Sequence, residues 1–105
     1  MNTQIQTRYD KEIKVIGSGI SKLENILHRC FKGELSSQEA KGEAIKCATE
    51  IDTANYVAEK YEKEELIVRN EFRQFAHERY LRAKDLFNSV IAIKEINSTH
   101  TSKDL

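Results

Sequence analysis

Proline and tryptophan are missing from this chain, and its 105 residues hold only two cysteines, four glycines and one methionine. Each absence excludes something. Without proline, nothing forces a helix to stop or kink. Two cysteines are too few for the disulfide framework of a small secreted domain. Charge of one sign is not in excess either, because 17 lysines and arginines face 17 aspartates and glutamates. No net field therefore draws the protein toward nucleic acid or an anionic membrane. No apolar run approaches the roughly 20 residues of a membrane span, and residues 1–12 lack the basic, apolar and small-residue regions of a signal peptide. The expected setting is cytoplasmic and reducing.

What the chain does have is a seven-residue apolar rhythm. Ile5, Tyr9, Ile13, Ile16, Ile20, Leu23, Leu27 and Cys30 step by three or four, a spacing that lines one side of an α-helix and no side of a strand. Ala40, Ala44, Cys47, Ile51, Ala54, Ala58 and Tyr61 keep the same beat. Small residues in the second stripe let helix axes approach while the large ones of the first fill the groove. In the last third, Phe72, Ala76, Tyr80, Ala83, Phe87 and Val90 lie on one line, with Phe75, Leu86 and Ile93 beside it. This breadth predicts that the third helix packs centrally.

These patterns predict an all-α fold in a single domain, as an antiparallel three-helix bundle or an extended helical hairpin with coiled-coil-like packing, and with a dimer as the alternative state. The predicted helices cover about 3–32, 37–62 and 64–97, followed by a flexible polar tail at 98–105. Gly33 supplies a stop and Ser36 or Ser37 a cap, with Glu39 in the first turn that follows. Two points stay open. Gly17 and Gly19 cost about 2 kcal/mol of helix propensity together, yet the first stripe keeps phase across them, which favours a continuous helix with a close neighbour. The second stripe, continued on its own period, reaches Glu65, Val68, Phe72 and Phe75, as one uninterrupted helix would. The three-helix division is favoured because a continuous helix leaves its second half without a partner in the same chain.

No catalytic or cofactor motif stands up. Gly17-Ser18-Gly19 suggests a dinucleotide loop, but the third glycine and the parallel sheet are missing. His28, Cys30, Cys47 and His77 are zinc-type ligands in the wrong places. His28 and Cys30 point about 200° apart, and Cys30 and Cys47 are offset by roughly 12 Å in an antiparallel hairpin, beyond the reach of a disulfide. Position 74 is glutamine, so His77 has no Glu-x-x-His partner of the di-iron type. The reading is therefore a non-enzyme without metal or cofactor.

Two surface features carry the functional expectation. Arg69, Arg73, Arg79 and Arg82 concentrate basic charge in the last third, and Arg69, Arg73 and His77 form an i, i+4 row. Val15, Ile26, Ile67, Leu81, Ile91 and Ile96 fall outside or at the margin of the core stripes. Together they suggest an apolar strip with an arginine rim that docks another protein, as an adaptor, inhibitor, immunity factor or chaperone would. A homodimer is a further expectation. The alternative is a dimeric regulator associated with nucleic acid that reads phosphates through the third helix. A bundle enzyme would instead need carboxylates or histidines facing inward.

Overall fold

The computed structural model describes residues 3–64 and 67–104, with side chains described through Ala92. Three helices, α1 (Thr3–Phe31), α2 (Ser37–Lys63) and α3 (Arg73–Asp104), run up, down and up in a rod of 65 × 20 × 17 Å. No strand occurs among the described residues. The protein is an all-α three-helix bundle.

The first turn forms as its residues dictate. Gly33 takes φ +79°, a left-handed conformation that suits glycine. Its N–H donates to the Cys30 carbonyl (3.1 Å) while that of Glu34 donates to Arg29 (2.9 Å), the double closure that satisfies carbonyls at a helix end. Leu35 then turns inward, and Ser36 caps α2. Its hydroxyl accepts from the Glu39 amide (3.1 Å), and its own N–H donates to the Glu39 carboxylate (3.2 Å). Hydrogen bonding to the carboxylate, from the Ser36 N–H first and then from its side chain, holds the Glu39 carboxyl below its usual range.

The α1 and α2 stripes meet as large on small. Tyr9, Ile16, Ile20 and Leu23 are buried against an α2 face of Ala40, Ala44, Ala54 and Ala58, all at most 5% exposed. Helix α1 continues through Gly17-Ser18-Gly19, and the close neighbour is Ile51. A Cβ built on Gly19 would lie 2.5 Å from Ile51 Cγ1, whereas one on Gly17 would meet nothing within 4 Å. Only the second glycine is required by packing.

The third element departs from expectation in three ways. It begins at Arg73, not near position 64. The intervening chain folds back over the start of α1 instead of continuing α2. The amide of Gln6 brackets Val68, accepting from its N–H (2.8 Å) and donating to its carbonyl (3.3 Å). Ile67 drops into the core at 8% exposure. The Asn70 side chain then accepts from the Phe72 N–H (2.8 Å) and its carbonyl from that of Arg73 (3.2 Å), which starts α3. Helix also carries on to Asp104, through the stretch read as a tail.

The third departure concerns which helix is central. It is α1: α3 rests mainly on α1 and touches α2 sparingly. A helix packed on one neighbour buries a narrow arc, here Tyr80, Ala83, Phe87, Val90 and Ile91. Phe72, Phe75 and Leu86, expected in the core, are 67%, 68% and 50% exposed. Ile93 lies outside the described side chains. Cys30 and Cys47 are both buried and form no disulfide. Burial pushes the Cys47 thiol above its ordinary value.

Candidate functional site

The residues that sequence reasoning placed on one strip are dispersed by the fold. Ile26, Ile67 and Ile91 are core, at 5%, 8% and 8% exposure. Ile26 lies on the α2 side of α1, Ile67 is carried in by the turn, and Ile91 falls within the narrow buried arc of α3. Val15 is half-buried against the same core. Leu81 alone of the five described is open, on the far flank of α3 from α1. Ile96 is outside the described side chains.

The arginines separate likewise. Arg73 is an internal clamp. Its Nε donates to both carboxylate oxygens of Glu62 at 3.1 Å, and Nη1 reaches Asn55 Oδ1 at 2.6 Å. The pair is only 15–16% exposed. Glu62 also accepts from the Tyr9 hydroxyl (2.9 Å), which in turn accepts from the Asn70 N–H (3.1 Å). Burial first, and then the Glu62 charge, push the Tyr9 hydroxyl above its ordinary value despite the opposing Asn70 bond. This knot joins α1, α2, the turn and the base of α3. It also removes Arg73 from the phosphate-tracking row with Arg69 and His77, leaving Arg69 exposed in the turn.

A different set converges between α1 and α3. Phe75 and Leu86 stand eleven positions apart, three turns along one flank of α3. Opposite them on α1 are Leu27, half-buried, and Phe31, 68% exposed. Arg79 and Arg82 sit between the two apolar ends, with Glu24 and His28 across the groove. The Arg79 guanidinium is paired with the Glu24 carboxylate. Arg82 has no ion pair among the described residues. The groove thus reads apolar, basic, apolar along its length. Periodicity places Phe75 and Leu86 inward, and Phe31 gives no periodic signal because it closes the helix just past the last stripe residue. The lead was their position on one flank of their helices, beside the core line.

On the other side of α3, the Tyr80 hydroxyl donates to Asp52 Oδ1 (3.0 Å), and the Lys84 ammonium lies 5.2 Å from the centre of its ring. Burial, followed by the Asp52 carboxylate, pushes Tyr80 up to about 12. An unfolded tyrosine releases its proton near pH 10. Between about pH 10 and 12 the unfolded chain is therefore the one that loses the proton, so stability is present in full below pH 10 and falls as pH rises through this window. Tyr80→Phe should flatten that alkaline loss while lowering stability at pH 7 by about 1 kcal/mol. Urea midpoints measured from pH 8 to 11.5 check it, and parallel curves for both proteins would contradict it.

Among the described residues no three His, Cys, Asp or Glu converge as metal ligands, no charged side chain is buried, and no helix is long and apolar enough to cross a membrane. Comparison with protein-family models, with curated proteins and with solved structures returns no match for this chain.

Proposed function

We propose that this protein is a small, non-catalytic interaction module that works in the cytoplasm and binds a partner protein in the groove between α1 and α3. One observation carries the reading: Phe31, Phe75 and Leu86, each at least half exposed, line a single groove around an arginine that lacks an ion-pair partner among the described residues. Scattered apolar residues mean little, but three large ones in one concave strip are the signature of a docking surface. The matching occupant is an amphipathic helix of a partner protein, with apolar side chains about three turns apart and a carboxylate between them. Its apolar residues would cover Phe75 and Leu86, and its acid would meet Arg82. Full burial of each aromatic contributes roughly 1.5–3 kcal/mol. The charge pair sets register more than affinity. Adaptor, inhibitor, immunity and chaperone roles all use such a surface.

The test begins with partners recovered from cells that express the protein and ends with direct titration of each purified candidate. Phe31→Ser and Phe75→Ser together should leave folding stability within about 0.5 kcal/mol, since both rings are exposed. They should weaken the true partner by about a hundredfold at roughly 0.3 M salt, where surface charge is screened. A partner whose affinity ignores both substitutions would overturn the assignment, as would the absence of any protein that binds directly.

A further inference from the structure

The apolar residues left exposed at the base of α3 are the ones that continue the buried stripe of α2. From Ala54, Ala58 and Tyr61, steps of four, three, four and three reach positions 65, 68, 72 and 75. Val68 is 62% exposed, Phe72 67% and Phe75 68%. Sequence period and surface exposure select the same residues independently. The core positions Ala76, Tyr80, Ala83 and Phe87 would also fall on the α2 face at 100° per residue. The connection from position 64 to 72 contains neither glycine nor proline, so nothing in its composition forbids helix. What holds it folded back is the burial of Ile67 and a set of hydrogen bonds made by side chains: Gln6 to the Val68 backbone, the Tyr9 hydroxyl accepting from the Asn70 amide, and the Asn70 side chain accepting from the amide of Phe72. Helix α3 meanwhile rests mainly on α1, and its polar contacts to α2, Arg73 with Glu62 and Asn55 and Tyr80 with Asp52, are ones that the α2 of another copy can supply.

We infer that a second copy of this chain is a partner, and that the two copies exchange α3. In the exchanged dimer α2 and α3 join through the connection into one helix, and each α3 packs on the α1 of the other copy. The α1–α3 contacts are rebuilt unchanged, which is why exchange is a low-cost route to a dimer. The gain lies at the junction, where Val68 and Phe72 of the two copies face one another and leave water. The loss is the set of side-chain bonds that pins the turn, together with the burial of Ile67. The balance shifts to the dimer with concentration by mass action. The α1–α3 groove survives in this dimer, assembled from two chains, so the exchange and the docking role stand or fall separately.

The experiment refolds the 105-residue chain at about 1 mM, so that a slow opening step does not trap the monomer, and measures mass by sedimentation equilibrium. Chain exchange is then read with the Arg79→Lys variant and a zero-length carbodiimide reagent. This couples the new amine to the Glu24 carboxylate, and the wild-type guanidinium serves as the unreactive control. A dimer that becomes covalent on a denaturing gel only in the variant is the expected result. Gln6→Ala with Asn70→Ala should raise the dimer association constant about tenfold. Arg69→Gly with Glu71→Gly, which oppose helix in the connection, should lower it by about as much. A chain that remains monomeric after refolding at about 1 mM overturns the inference, as does a dimer whose coupling to Glu24 stays within one chain.

Discussion

Gly19→Ala is expected to destabilise the protein by about 1–3 kcal/mol, although alanine is the better helix former by about 1 kcal/mol. The added methyl would lie 2.5 Å from Ile51 Cγ1. Ile51 is fully buried between α1 and α2, so it has nowhere to move without opening this crossing. Gly17→Ala is the internal control. It lies two residues away on the same helix with nothing within 4 Å of its Cβ, and should raise stability by about 1 kcal/mol. Ile51→Ala alone should cost about 2–5 kcal/mol through lost burial and the cavity left behind. In the double variant the new Gly19 methyl fills part of that cavity. The two changes should then cost less together than their sum, by about 1 kcal/mol or more. Urea unfolding followed by circular dichroism reads all four proteins. Additive costs, or a Gly19→Ala protein as stable as Gly17→Ala, would show that the helices do not meet at this point.

That crossing was legible in the sequence because it is local in pattern: a large stripe, a small stripe, and a glycine kept in phase. The same holds for the turn at Gly33 to Glu39, where stop, cap and capping partner are neighbours in the chain. The second turn was not legible. Position 64 to 72 carries no breaker, and the groups that bend it are Gln6 and Tyr9, 62 and 61 positions from the backbone amides they hold. Only tertiary structure brings them there. Arg73 shows the same limit. Its spacing to Arg69 and His77 looks like a surface row, yet its partner is Glu62, on another helix. Phe75 and Leu86 show a related one. Periodicity ranks the faces of a helix, but the number of neighbours decides how wide the buried arc is, and α3 has essentially one. The candidate groove is what this narrow arc leaves uncovered, so it became visible only when α1 proved to be the central helix.

Glu62→Ala should cost about 2–4 kcal/mol, more than any other single change at the polar surface. Among the described residues its carboxylate is the sole acceptor for both the Arg73 Nε–H and the Tyr9 hydroxyl. Tyr9 is fully buried and Arg73 only 16% exposed in its side chain, so water replaces little of what is lost. A largely shielded charge that loses its counter-ion is the expensive outcome; removing both partners is not. Glu62→Ala combined with Arg73→Met should therefore recover at least about 1 kcal/mol relative to Glu62→Ala alone. The carboxylate also has a directional role. By accepting the hydrogen bond from the Tyr9 hydroxyl, it turns a lone pair of that oxygen toward the Asn70 N–H, the bond that fastens the second turn to α1. With Glu62 gone, the hydroxyl is released to rotate. Hydrogen exchange at the Asn70 amide should then quicken by more than the global loss of stability accounts for, while amides in the middle of α1 and α2 follow the global change alone. Tyr9→Phe should quicken the same amide at a smaller global cost, about 1 kcal/mol. Equal acceleration at Asn70 and at the helix centres in both variants would mean that the knot stabilises the bundle without holding the turn. An Asn70 amide that opens early would place the fastening at Tyr9, where the exchange of α3 would have to begin.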